Sequence, residues 1–303
     1  MKITNKLGLH KTVFNAVKNW GKRTSEPDPD YWRVTELIRP VQQVLLERRH
    51  HDKLETEAMD LLSAWLGSAA HELLSKQEVK NALQEETISA ELEGFKIVGK
   101  PDHYEDGVLL DFKVTRVWSV IFGSRNEEWT QQLNIYRYML KSMGFPVNRL
   151  EVICIFTDWS ATKAMAEADY PNNRGAVVPI IILADSDVER WLVRKLRTLA
   201  ACRKLPDAEL PECTSAEMWE EPTKYAVMKH GNKRSAKNFE DKGAAIEHTN
   251  MLNEKKGNSG MYYVDPRPGK RRRCEDYCSA APFCQQYKAY RVKMDSLEGG
   301  NDE

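Results

Sequence analysis

Between residues 99 and 113 the chain carries two carboxylates and a lysine at spacings that can bring them together. Gly99-Lys100-Pro101-Asp102 is followed by Asp106-Gly107 and then by Leu110-Asp111-Phe112-Lys113. An Asp-Gly pair between apolar runs is a strong signal for a two-residue hairpin turn. With that turn at residues 106 and 107, Asp102 lies across from Asp111, on one face and about 5 Å away. Lys113 is two residues beyond Asp111, so strand alternation puts it on the same face.

Two carboxylates held together repel, and one of them would normally take a proton. A divalent cation removes that conflict, and hard oxygen ligands suit Mg²⁺ or Mn²⁺. A lysine beside such a metal can orient a water or stabilise negative charge on a phosphate, which is the equipment for metal-assisted phosphodiester hydrolysis. The same residues on an exposed hairpin would form only surface ion pairs, worth little. Three other residues add to the pattern. His71 follows Gly67 by one helical turn in Trp65-Leu66-Gly67-Ser68-Ala69-Ala70-His71, where small residues leave the imidazole accessible. Gln132 and Tyr136 stand at i and i+4, on one face of a helix after the hairpin. Glu91, on the strand before Asp102, is a further acid that could assist.

A second cluster lies near the end of the chain. Cys274, Cys278 and Cys284 are spaced C-x3-C-x5-C, with a fourth thiol available from Cys213 or Cys202, while Cys154 sits in a predicted strand and reads as core. In a reducing compartment, thiols this close suggest a metal site more than a disulfide framework. Structural zinc prefers tighter pairs, whereas an iron–sulfur cluster tolerates irregular spacing with one distant cysteine. Either would act as a staple, closing a loop of about 60 residues. Just before this triple runs Arg267-Pro268-Gly269-Lys270-Arg271-Arg272-Arg273. Lys270, Arg271, Arg272 and Arg273 are candidate phosphate contacts. Lys224 to Lys229, with Lys233 and Arg234, could extend them, and Trp219 and Tyr225 could stack on unpaired bases.

These residues need a scaffold. Helical spacing covers roughly residues 40–57 and 58–83. The period then changes to short strands at 88–98, 101–105, 108–114, 150–157 and 177–183, with turns at Glu93-Gly94 and Asp106-Gly107. Helices are predicted at about 127–143 and 186–201. This order gives an α/β (α+β) fold, a mixed sheet flanked by helices. The expected division is an N-terminal segment 1–34, polar and loosely packed up to about residue 30, and a core 35–204. A C-terminal metal-stapled region 205–295 and a disordered tail 296–303 follow. The 303 residues hold 45 Lys plus Arg and 45 Asp plus Glu, so a general polycation is excluded while a local basic groove is not. Hydrophobic residues at 41% can build a core, and mean hydropathy is −0.60. The longest apolar stretch, residues 177–184, falls far below the ~20 residues of a membrane span. The N-terminus has no signal-peptide pattern, so a cytoplasmic location with reduced cysteines is expected.

Taken in order, His71, Gly99-Lys100-Pro101-Asp102, Asp111-Phe112-Lys113 and Gln132-Leu133-Asn134-Ile135-Tyr136 resemble the RecB-like branch of the PD-(D/E)xK nucleases, over about residues 35 to 160. The resemblance implies a restriction-endonuclease-like core and a deoxyribonuclease dependent on Mg²⁺ or Mn²⁺. His71, Asp102, Asp111 and the Phe112 carbonyl would bind the metal, Lys113 would be catalytic, and Gln132 with Tyr136 would position DNA or the site. The cysteine triple is similar to that of the iron–sulfur nucleases of the same superfamily, including the CRISPR-associated exonucleases. That likeness implies a [4Fe–4S] cluster on Cys213, Cys274, Cys278 and Cys284, with structural Zn²⁺ the alternative. The usual triple there is closer to C-x2-C-x5-C and its remaining cysteine precedes the nuclease motifs, whereas no cysteine precedes Cys154 here. With the texture around Thr157-Asp158-Trp159 and Pro211-Glu212-Cys213, the chain looks similar to stand-alone nucleases of tailed bacteriophages. This implies an exonuclease acting on single-stranded DNA or duplex ends in recombination or genome processing, alongside a recombination partner protein, in a bacterial host's cytoplasm. Two other classes stand beside it: a catalytically silent DNA-binding accessory protein on a nuclease scaffold, and a redox or iron-delivery protein.

Overall fold

The chain opens on a short strand, β1 (Lys2–Thr4), and a helix, α1 (Lys11–Gly21), in the computed structural model, which describes residues 1–21, 28, 30–77, 79–123 and 125–298. Its contacts divide it into two units, Met1–Leu210 and Pro211–Glu303. In the first unit β2 (Tyr31–Arg33), α2 (Val34–Leu37) and α3 (Val41–Arg49) follow, then β3 (Glu55–Glu57) and α4 (Leu62–Ser75). The helix expected over 40–57 therefore stops at Arg49, and residues 55–57 become a strand parallel to β1. Glu57 accepts hydrogen bonds from the Thr4 hydroxyl and from the amides of Lys6 and Leu7, which ties the N-terminal segment down instead of leaving it loose. Most of the Pro/Asp run at 26–30 lies outside the described residues.

The next strands are β4 (Leu83–Gln84), β5 (Ile88–Leu92), β6 (Phe95–Gly99), β7 (His103–Glu105) and β8 (Val108–Thr115). Glu93-Gly94 joins β5 to β6 and Asp106-Gly107 joins β7 to β8. All four turn residues have positive φ, as type I′ hairpin turns require. After β8 come α5 (Val117–Ile121), α6 (Asn126–Ser142), β9 (Arg149–Phe156), α7 (Ala161–Ala166), β10 (Gly175–Ile180) and α8 (Asp185–Cys202). A five-stranded sheet has the order β10-β9-β8-β7-β4, and β8 and β9 are its parallel pair. A three-stranded sheet has the order β2-β6-β5. Helices flank these mixed sheets, an α+β arrangement of the kind expected from the sequence. The core gathers Leu133, Met139 and Leu140 of α6, Leu109 of β8, Val152 of β9 and Leu192 and Leu196 of α8. β10 ends at Ile180, short of the expected 183, because the buried Asn134 side chain takes the backbone of the next residues. It donates to the Ile181 carbonyl and accepts from the Leu183 amide, both at 2.9 Å. The unit extends past residue 204 because Asp207 pairs with Arg49 and His50 at the end of α3.

The second unit holds α9 (Ser215–Met218), β11 (Lys224–Lys229), β12 (Lys237–Phe239), α10 (Lys242–Asn253), β13 (Tyr262–Arg267) and α11 (Gln285–Glu298). Its antiparallel sheet has the order β12-β11-β13, with α10 packed against it. Ala226, Val227 and Met228 of the central strand are buried. The Lys224–Lys229 segment, expected along a phosphate-contacting edge, is thus the core strand of this unit. The last helix covers residues 296–298 of the expected disordered tail, and residues 299–303 lie outside the described residues.

Candidate active site

The first hairpin partners are His103 with Leu110, Tyr104 with Leu109 and Glu105 with Val108. This is the register that the Asp-Gly turn predicts. Asp102 sits in the bend one residue before β7, where Oδ2 accepts a 2.7 Å hydrogen bond from the Phe112 amide. The carboxylate is thereby fixed beside the stretch of β8 that carries Asp111 and Lys113. The bend itself is clamped from α6. The Tyr136 hydroxyl accepts from the Lys100 amide at 3.3 Å and donates to the Lys100 carbonyl at 3.2 Å. Gly99 has to be glycine for that approach, since a Cβ there would collide with the Tyr136 ring and with Val34. Burial pushes the Tyr136 phenol up to about 12, so it stays a donor at any physiological pH, and Gln132 hydrogen-bonds to it.

α4 brings His71 to the same bend. Its Nδ1 lies 3.4 Å from Asp102 Oδ1 and 3.5 Å from Glu85 Oε1. Side-chain atoms of His71, Glu85 and Asp102 all fall within 4.8 Å of one another. Glu85 is the member that sequence reasoning missed. It occupies the left-handed region, with φ of 54°, and its amide donates to the Asp102 carbonyl at 3.2 Å. Non-glycine residues held there commonly mark functional sites, but nothing in Gln84-Glu85-Glu86 announces that backbone. Its other oxygen lies 2.6 Å from Lys100 Nζ. Glu91, the acid proposed from sequence, is exposed on β5 across from Lys96 and is not in this group.

Asp111 is 3% exposed. Its Oδ2 lies 2.6 Å from Lys113 Nζ, yet no hydrogen bond of good geometry reaches that atom. Burial, opposed by the Lys113 charge and assisted by the Asp102 charge, pushes the carboxyl up to about 6. The Asp102 carboxylate beside it raises the His71 imidazole above its ordinary value. His71, Glu85, Asp102 and Lys113 line a cleft of about 760 Å³, bounded by Ala16, Asn19 and Trp20 of α1 and by Ser63, Gly67 and Ser68 of α4. A Cβ at Gly67 would meet open space. The set offers one imidazole nitrogen and several carboxylate oxygens, a donor set for a hard divalent cation. The buried Asp111 Oδ2, which accepts no hydrogen bond of good geometry, is a further acceptor that fits such a cation. Phe112 lies between Asp111 and Lys113, its ring edge-on to those of His71 and His103.

In the second unit, Cys213, Cys274 and Cys278 are half-buried and Cys284 is buried. Cys202 ends α8 in the first unit. Burial pushes the Cys213 thiol up to about 12, and negative charge at Glu217, Cys284, Cys274 and Cys278 adds to the shift, so the four thiols lie within electrostatic range. Gln286 of α11 holds Cys213 through both of its backbone groups, at 2.9 Å each. The Tyr287 amide donates to Cys284 Sγ at 3.4 Å. Of the basic run, Arg271 pairs with Glu220 at 3.0 Å and Arg272 with Glu221 at 2.7 Å. The Arg271 guanidinium also covers the Tyr290 ring and that of Arg273 covers Trp219, while Lys270 is exposed. Tyr225 is half-buried on β11.

No family model matches this chain, and no curated protein matches it. Among solved structures it is similar to the crystal structure of SSO0001, with 18% identity and a TM-score of 0.42, over 61% of this chain and 83% of that one. It is also similar to an alkaline exonuclease (LHK-Exo) from Laribacter hongkongensis, with 11% identity and a TM-score of 0.37, over 57% of this chain and 89% of that one. None of the helices among the described residues is long and apolar enough to cross a membrane.

Proposed function

We propose that this protein is a metal-dependent deoxyribonuclease that hydrolyses phosphodiester bonds, working as an exonuclease on single-stranded DNA or duplex ends. The observation that carries this reading is the convergence of His71, Glu85 and Asp102, from three separate segments, beside a buried Asp111 and its neighbour Lys113. His71, Asp102 and Asp111 would hold Mg²⁺ or Mn²⁺, with Glu85 and the Phe112 carbonyl completing the set. When bound, the cation supplies Lewis acidity and lowers the pKa of a water. The protein's own part is positioning. Tyr136 and Gly99 fix the bend that carries Asp102, and the Phe112 amide fixes its carboxylate. Lys113 carries positive charge to the place where a scissile phosphate gains negative charge. Lys100, paired with Glu85 and half-exposed at the cleft, can meet a flanking phosphate.

Cys213, Cys274, Cys278 and Cys284 would hold a [4Fe–4S] cluster, or Zn²⁺ in its place, that staples α11 to the start of the second unit. Gathered thiolates repel one another, and a cationic centre relieves that repulsion. A role in DNA recombination or processing, with a bacteriophage as the source, rests on the resemblance alone. The test is incubation of the full chain with end-labelled single- and double-stranded DNA, with and without Mn²⁺, beside Asp111→Asn and Lys113→Ala. Metal-dependent loss of label in the wild type, reduced on the order of 100-fold or more in either variant, is the expected outcome. Undiminished cleavage by Asp111→Asn would refute the site. Tight DNA binding without any cleavage would favour an accessory protein on a nuclease scaffold.

A further inference from the structure

The segment immediately after the candidate catalytic strand presents two large aromatic side chains to solvent. Trp118 is 37% exposed and Phe122 is 73% exposed. They stand one helical turn apart on and just after α5, with ring centroids 5.4 Å apart and planes 16° from parallel. A short helix whose purpose was packing would turn these rings inward, as it does Val117, which is fully buried.

The Trp118 side of the pair is anchored. The Val117 amide donates to Asp158 Oδ1 at 2.8 Å, and the Thr115 hydroxyl bonds that of Ser119 at 3.0 Å. Behind Trp118 stands Tyr170, edge-on at 6.1 Å, its hydroxyl accepting from the Ser160 amide and donating to the Asp158 carbonyl. Lys163 Nζ lies 4.9 Å from the centre of the Trp118 ring. Residues 112 to 126 contain Lys113, Arg116 and Arg125 and no acidic residue. A flat aromatic pair beside a cation, on a segment with no acidic residue of its own, matches an unpaired nucleic-acid strand: rings stack on bases and the ammonium meets a phosphate. An apolar protein partner would need a broader hydrophobic patch than two rings give.

We propose that Trp118 and Phe122 form a stacking platform for unpaired bases, with Lys163 as its phosphate contact. The proposal deepens the nuclease reading, since it names a single strand as what is held beside the cleft. Trp118 is five positions after Lys113, which bounds their Cα separation at ~17 Å. A strand of about five stacked nucleotides covers that distance.

The test measures binding of a fluorescein-labelled 12-nucleotide oligo(dT) and of a blunt duplex of equal length by anisotropy, using the full chain without added divalent cation. Phe122→Ala, whose ring is mostly in solvent, should keep the wild-type melting temperature and lose about tenfold in affinity for the single strand. Its duplex affinity should change by less than about twofold. Trp118→Ala should lose at least as much and Trp118→Phe should recover most of it, which separates stacking from a folding defect. Equal single-strand binding by wild type and both alanine variants, or an equal loss on single strand and duplex, would overturn the platform. So would a wild type that ignores single strands. Because these readings need no turnover, a chain that binds as described but never cleaves would leave the platform standing and remove the nuclease reading.

Discussion

Asp111 carries the largest electrostatic conflict at the candidate site. Its carboxyl is pushed up to about 6 from an ordinary 3.8, chiefly because ionisation would place a charge where water cannot reach it. The sign of the consequence follows from proton counting. Below about pH 4 both the folded and the unfolded chain hold the proton. Between about pH 4 and 6 the unfolded chain has released it and the folded chain has not, so stability falls as pH rises through that window. The loss is at most about 3 kcal/mol, at ~1.4 kcal/mol per pH unit. Metal-free protein should therefore melt at lower temperature at pH 7 than at pH 5, once the behaviour common to all variants is subtracted. Asp111→Asn should flatten that difference, melt several degrees higher than wild type without metal at pH 8, and lose the rise in melting temperature that Mn²⁺ gives the wild type. Parallel melting of the two proteins across this range, with and without Mn²⁺, would mean that the buried carboxylate is neither a burden nor a ligand.

At the level of elements, the site depends on how α6 grips the bend before β7. Tyr136 reaches both backbone groups of Lys100, and it can do so only because Gly99 has no side chain. Tyr136→Phe should cost about 1–2 kcal/mol in urea unfolding, the range for losing one buried hydrogen-bonding hydroxyl. It should weaken Mn²⁺ binding without abolishing it, because Asp102 loses its brace and keeps its place. Gly99→Ala should do more damage to both, since the clash moves the bend itself; an alanine variant with wild-type metal affinity would show that the clamp is dispensable. These elements differ in how readily they could be read. The Asp106-Gly107 and Glu93-Gly94 hairpins were legible because a type I′ turn demands particular residues, and with them came the placement of Asp102 beside β8. His71 and Tyr136 were legible as helix faces. Glu85 was not, because a glutamate in the left-handed region leaves no local signature and is held there by the Asp102 carbonyl. The contribution of α1 to the cleft was also hidden, as it depends on β1 finding β3 about fifty residues away. In the second unit β11 buries three residues in a row, β12 has three residues and β13 carries Pro266, so no period of two marks these strands.

Across the whole molecule, two units with different chemistry make separable predictions. The basic run before the cysteines is a poorer phosphate grip than its composition suggests, because Arg271 and Arg272 already have carboxylate partners and Arg273 lies over Trp219. Lys270→Glu should lower the salt slope of DNA binding by roughly one to two if that edge touches phosphate. Arg271→Glu should chiefly destabilise the second unit, by confronting Glu220. The cysteines decide what holds that unit together. Its sheet has three strands, one covering helix and few buried side chains, and a core this thin gains from a staple. If Cys213, Cys274, Cys278 and Cys284 bind a metal centre, Cys278→Ala should release it and expose the second unit to protease. The Mn²⁺ response of the first unit should survive, since Asp102, Asp111 and His71 lie on elements that the cysteines do not build. Metal analysis of the anaerobically purified chain, read beside limited proteolysis of wild type and Cys278→Ala, measures both halves of this statement. Equal protease resistance in the two proteins would remove the staple. Loss of the Mn²⁺ response together with the cysteine metal would show that the units fold as one.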